Sequence, residues 1–175
     1  PSHFEVAFGR APRKSGDALS RKEAFLLDMD GEAVPLSGII DRIDLSGESV
    51  SIIDYKTASY PEKADITYGL SLQLTLYAWA VERCLLPRRT VESAYYLPIF
   101  RGKPREALFL DKAQDAGSRE ETALNRIKDA VAGIRKGYFP PLPDAHYDPK
   151  KHSLPSAARF EAWRIQRKFP ERNVI

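Results

Sequence analysis

The stretch Gly38-Ile39-Ile40-Asp41-Arg42-Ile43-Asp44-Leu45, answered by Val50-Ser51-Ile52-Ile53-Asp54-Tyr55-Lys56-Thr57, decides the architecture. Alternation in the first run sets Ile39, Asp41, Ile43 and Leu45 on one face and Ile40, Arg42 and Asp44 on the other. Ser46-Gly47-Glu48 turns the chain, and residues 50–57 return as a second strand. An ionised carboxylate on an apolar face is costly unless it is paired or bound to a metal, and Asp41 is such a carboxylate. Asp54 follows Ile52-Ile53 in a run too apolar for an exposed strand. Lys56, two residues on, points to the same side. A hairpin closed at 46–49 lays the strands side by side, so two carboxylates and one ammonium converge on one point.

Working outward, residues 4–9 alternate loosely and read as a short strand, and residues 10–22 as a basic, polar loop. Residues 24–28 and 33–36 flank Asp30-Gly31, a strong hairpin turn signal. Three strands in a meander are therefore expected near the front. Residues 70–86 are apolar nearly all round and contain no Gly or Pro, which predicts a buried helix stopped by Pro87. Residues 90–100 are β-branched and aromatic and read as a strand, turned by Arg101-Gly102-Lys103-Pro104 into a partner at 105–110. Residues 118–136 carry Leu124, Ile127, Val131 and Ile134 at helical spacing, with Ser118 and Glu121 as a capping box and Gly137 as C-cap. A proline-rich stretch follows Phe139, then a short Arg-rich helix around 155–169. The order gives an α/β (α+β mixed) arrangement, a central mixed sheet flanked by helices.

At 175 residues the chain is long enough for one domain with a real core. Its 43% apolar and 29% charged residues are ordinary for a folded protein and exclude the disordered class. No run approaches the ~18 apolar residues of a membrane span. The single cysteine, Cys84, excludes an internal disulfide and any multi-cysteine metal site, and fits a reducing, cytoplasmic setting. The net charge of +3 hints only weakly at a polyanionic partner. Nine Lys/Arg face four acids from Arg135 onward, which reads equally as a solvated tail or as a basic contact surface. The chain starts at Pro1 without a signal peptide, and is expected to be a piece of something longer.

Two carboxylates brought together without a counter-charge force one to take a proton. A divalent cation removes the conflict, and Mg²⁺ prefers one or two carboxylates plus water. Such an ion activates water, polarises a phosphoryl oxygen and orients the scissile group. Lys56 would then help deprotonate the attacking water or stabilise charge developing on phosphorus.

The ordered set Gly38-x-x-Asp41-Arg42-x-Asp44, Ile53-Asp54-Tyr55-Lys56-Thr57 and Gln73-x-x-x-Tyr77 resembles the PD-(D/E)XK nuclease superfamily, most of all its RecB/AddB branch, over about residues 3–140. The opening Phe4-Glu5-x-x-Phe8-Gly9 resembles the segment before the sheet in that branch. The resemblance implies a restriction-endonuclease-like core over 1–140, its first helix lying before Pro1, and a basic tail over 141–175 packing back through Phe139, Tyr147, Phe160 and Trp163. It implies Asp41 and Asp54 as ligands of Mg²⁺ or Mn²⁺, with the Tyr55 backbone carbonyl completing the inner shell. Lys56 would be the catalytic lysine. Gln73 and Tyr77, one helical turn apart, would contact the DNA strand or the attacking water. Arg42 and Asp44 should point away from Asp41 in a supporting role.

Two departures stand out. The branch draws another metal ligand from a histidine on an upstream helix, and the only upstream histidine here is His3, outside such a helix; this fragment is therefore expected to bind metal weakly. Many relatives hold an iron–sulfur cluster on four cysteines, and 138–160 contains none, so no such cluster is expected. The resemblance implies a Mg/Mn-dependent DNA exonuclease domain, the nuclease part of a RecB/AddB-like helicase–nuclease in recombination and repair. Its implied partners are DNA and a helicase, carried either in the same chain or in a separate one. The alternative is an inactive DNA-binding or scaffolding module; a nuclease acting on RNA reads the same in its phosphate chemistry. No Walker A motif is present, so any ATPase lies elsewhere. Glu5 reads as an ordinary strand acid or a metal-directed one, His146 and His152 as solvent-exposed, Cys84 as a small core residue, and Trp79, Tyr95 and Tyr96 as core.

Overall fold

The computed structural model describes residues 1–12, 16–57, 61, 65, 66, 68–99 and 116–138. The expected strand at 105–110, the tail helix, the four aromatics proposed to anchor it, and His146 and His152 lie outside the described residues. The chain divides into two compact units, Pro1–Ala130 and Val131–Ile175.

In the first unit β1 (His3–Phe8) is followed by a hairpin of β2 (Phe25–Met29) and β3 (Glu32–Leu36). Asp30 and Gly31 both take left-handed φ (57° and 89°) at its tip, as a two-residue hairpin turn requires, and Asp28 Oδ1 accepts the Gly31 N–H at 2.9 Å. Next come β4 (Gly38–Ser46) and β5 (Ser49–Lys56), paired antiparallel from Ser46–Ser49 down to Arg42–Ile53. β6 (Thr90–Pro98) then runs parallel to β5. The main sheet has the order β1-β4-β5-β6, antiparallel except for that last pair.

A parallel neighbour demands a crossover, and the apolar segment after β5 supplies it. Helix α1 (Gln73–Ala80) continues into a π-helical turn (Val81–Leu85), which Pro87 follows. Leu74, Trp79, Ala80 and Val81 bury against the sheet's core. β5 is closed from both sides: Ile52 and Ile53 point to opposite faces, and neither is exposed at all.

Three expectations need correction. The front strands are not one meander, because β2 and β3 form a sheet of their own and β4 takes β1 as neighbour instead. Pro35 strips a donor from β3, which weakens it as a ladder strand. The helix expected over 70–86 starts only at Gln73. Gly69 is left-handed (φ 66°), and the Leu70 and Ser71 N–H groups both donate to the Asp65 carbonyl, so these residues form a turn that leaves Leu70 exposed. Helix α2 (Ala116–Arg135) begins ahead of Ser118, so that serine is inside the helix rather than its N-cap. Ala123 and Ile127 are buried and Leu124 is half-buried, whereas Ile134 is exposed.

In the second unit the end of α2 follows the sequence reading. Gly137 has φ 64°; its N–H donates to Ile134 O (3.1 Å) and that of Tyr138 to Gly133 O (2.8 Å). This is the paired capping pattern that glycine makes possible at a helix C-terminus. Among the described residues no helix is long and apolar enough to cross a membrane.

Candidate active site

The site forms where β4 parts from β5. Their pairing ends at Arg42–Ile53, and the same register carried one step further sets Asp41 opposite Asp54. Parting leaves backbone groups that need partners, and side chains provide them. Asp41 Oδ2 accepts the Tyr55 N–H at 2.9 Å. The Ile39 carbonyl accepts the Tyr77 hydroxyl at 2.7 Å. Asp41 is thus bound to a peptide N–H, not paired with Arg42 or Lys56.

Asp54 is 3% exposed, the only buried charged residue among those described. Burial pushes its carboxyl above the ordinary value against the pull of Lys56, and the neighbouring Asp41 charge adds to the rise. Lys56 Nζ forms an ion pair with Asp54 Oδ2 at 2.5 Å. Helix α1 brings Gln73 over both. Its Nε2 donates to Asp54 Oδ1 (2.7 Å) and to the Tyr77 hydroxyl (3.2 Å), and its Oε1 accepts from Lys56 Nζ (2.9 Å). Only this orientation of the amide turns oxygen to the ammonium and nitrogen to the carboxylate.

The parallel register lays Tyr96 beside Asp54. Its ring lies under the Lys56 ammonium, 4.9 Å from Nζ to the ring centroid, in cation–π range. Its hydroxyl meets Ser71 Oγ at 3.0 Å, just ahead of α1. Burial raises the pKa of both Tyr77 and Tyr96, so both stay neutral hydrogen-bonding groups. Tyr96 was legible only as a core aromatic; the apolar pattern of β6 gives no sign of its contact with the lysine.

Gly38 has its reason here as well. A Cβ on it would sit 2.8 Å from the Phe8 ring and 3.2 Å from Tyr77 Cε1, and those rings meet edge to face. The bare backbone lets Tyr77 come down onto β4. On the other face Arg42 pairs with Asp44 through Nε (2.8 Å) and Nη2 (2.5 Å), and its Nη1 donates to the Tyr55 hydroxyl at 3.2 Å. Hydrogen bonding to Arg42 holds the Asp44 carboxyl below its ordinary value.

His3 is in β1 opposite Ile43, its Nδ1 2.9 Å from Asp17 Oδ1. Glu5 is exposed with φ 47°, at the β1 position that the register sets against Asp41. Cys84 is half-buried, not a fully enclosed core residue. Trp79 and Tyr96 are buried, and Tyr95 is half-buried.

The sequence profile of the PD-(D/E)XK nuclease superfamily matches residues 1–147. The chain belongs to this superfamily. Its four-strand mixed sheet with two helices is consistent with the superfamily's α/β core. Relatives are distant. The chain is 32% identical over 139 residues, 73% of its length, to one of the subunits of an ATP-dependent helicase/deoxyribonuclease of Staphylococcus carnosus. It is 34% identical over 84 residues, 44% of its length, to the protein of the same name in Staphylococcus saprophyticus. A component of the ATP-dependent helicase/nuclease of Streptococcus sanguinis is 30% identical over 86 residues, 47% of the chain. The matches span only 12%, 7% and 7% of those proteins, respectively.

PD-(D/E)XK nucleases generally use a divalent metal ion. The residues here fit one. The carboxylates of Asp41 and Asp54 bring to the fork the hard oxygen ligands that Mg²⁺ and Mn²⁺ prefer. Among the described residues no group of three or more His, Cys, Asp or Glu side chains could hold a metal ion. The two carboxylates would share their ion with backbone and water, a usual arrangement for magnesium.

Proposed function

We propose that this chain is a metal-dependent DNA exonuclease domain, the nuclease portion of an AddB/RecB-like helicase–nuclease acting in recombination and repair in the cytoplasm. The observation that carries the reading is the convergence of Asp54, Lys56 and Gln73 beside Asp41 at the strand fork. Asp41, Asp54 and the Tyr55 carbonyl would hold Mg²⁺ or Mn²⁺. The ion supplies charge neutralisation and Lewis acidity at the phosphate. Lys56 orients and helps deprotonate the attacking water, or meets the charge developing on phosphorus. Gln73 keeps the Lys56 amine and the Asp54 carboxylate in a fixed relation, and Tyr77 steadies Gln73 from below. The names of the distant relatives support a DNA substrate and a helicase partner.

The test incubates the chain with linear and covalently closed DNA, single- and double-stranded, and with RNA, with and without Mn²⁺. Degradation of linear DNA that needs Mn²⁺ and is abolished by Asp54→Ala or Lys56→Ala is the expected result. Full activity in either variant overturns the site. DNA binding without cleavage by the wild type would instead mark a scaffolding module.

A further inference from the structure

Tyr55 is gripped from both faces of the sheet. Its backbone N–H donates to Asp41 Oδ2 at 2.9 Å, and its hydroxyl accepts from Arg42 Nη1 at 3.2 Å. Arg42 cannot swing away easily, because Nε and Nη2 are both engaged by Asp44 at 2.8 and 2.5 Å. Arg42 is covalently next to Asp41, and Tyr55 is next to Asp54. The contacts therefore close a ring: Asp41 carboxylate, Tyr55 backbone, Tyr55 phenol, Arg42 guanidinium, and back through the chain to Asp41. The ring stands where the β4–β5 pairing ends, so it ties the strands together at the place where the ladder no longer does.

This deepens the metal reading above and rests on it. We propose that Arg42 is a positioning residue that acts through the Tyr55 hydroxyl to hold the strand fork at the width a divalent cation needs between Asp41 and Asp54. A two-toothed arginine–carboxylate pair has the directional rigidity for this, which a lysine lacks. Ligands preset in this way bind more tightly because less freedom is lost on binding.

The experiment is calorimetric titration of the chain with Mn²⁺ alone. Wild type, Tyr55→Phe, Arg42→Ala, Arg42→Lys, the Tyr55→Phe/Arg42→Ala double variant and Asp54→Asn are compared, with circular dichroism and thermal melts alongside. Tyr55→Phe and Arg42→Ala are each expected to weaken Mn²⁺ binding by roughly ten-fold, the scale seen when a ligand's outer support is removed. Arg42→Lys should not restore it. The double variant should bind no worse than the weaker single, since both cut the same ring. Wild-type affinity in the single variants, with or without a lower melting temperature, overturns the proposal while Asp54→Asn still loses the metal; so do losses that multiply. If Arg42→Ala fails to fold, Tyr55→Phe decides the matter, as it removes one hydroxyl. If wild type takes up no Mn²⁺, or Asp54→Asn binds as wild type does, the metal reading falls and this proposal with it.

Discussion

Gln73 does for Asp54 and Lys56 what neither can do for the other. Lys56 neutralises the buried carboxylate from the Oδ2 side, and the amide of Gln73 bonds to the other carboxylate oxygen and to the ammonium at once, fixing one against the other. Gln73→Leu keeps the bulk and removes the bridge. It is expected to lower folding stability by about 1–3 kcal/mol, the penalty of leaving a buried acceptor unmet, and to cut cleavage by about 100-fold, the scale of a misplaced reacting group. Denaturant titration and a DNA-degradation assay read the two effects. Asp44 answers a different question. Its folded-state carboxyl sits below the ordinary 3.8 because of Arg42. Its contribution is therefore present above pH 3.8 and is lost as pH falls through the depressed folded value. The stability gap between wild type and Asp44→Asn should be constant at neutral pH and close on acidification below that point; a gap that widens there would refute the assignment. Asp41 was legible from alternation, Asp54 from the apolar run that precedes it and Lys56 from its place two residues on, since carboxylates in apolar strands demand a reason. The pairing of Arg42 with Tyr55 was not, because it depends on a diagonal across two strands that only the register reveals.

The hairpin of β4 and β5 was readable because Ser46-Gly47-Glu48 separates two alternating runs, and Gly47 does turn with φ 58°. The place where those strands part was not readable. Parting is decided by competition between ladder bonds and the bonds that Asp41 and Tyr77 offer to Tyr55 and Ile39, and a one-dimensional pattern does not carry that balance. The helix start was misjudged for a related reason: the Asp65 carbonyl captures two N–H groups that a longer helix would have used. At this scale Gly38 is the sensitive point. Gly38→Ala drives a methyl into the Phe8 and Tyr77 rings, and overpacking of this kind costs about 1–3 kcal/mol. Thermal melts should show that loss, and cleavage should fall as Tyr77 is lifted off the Ile39 carbonyl. A variant with wild-type melting and cleavage would mean the rings have room to spare.

For the molecule as a whole, a ligand that binds only the folded state raises its apparent stability. Mn²⁺ at about 100 times its dissociation constant should add about 2.7 kcal/mol, seen as a higher melting temperature that EDTA reverses. Asp54→Asn should melt at the same temperature with and without Mn²⁺; a metal-dependent rise in that variant would place the ion elsewhere.

The parallel pairing of β5 with β6 has a consequence for the order in which the protein comes into being. Asp41 and Asp54 meet through a local hairpin, which closes quickly. Gln73 joins them from the crossover helix and Tyr96 only once the crossover is complete, and such distant pairings form slowly. A ribosome-bound chain therefore acquires its acidic pair well before the amide and the aromatic ring that discipline its lysine. The cluster is complete only once β6, the last of the described strands, has docked beside β5.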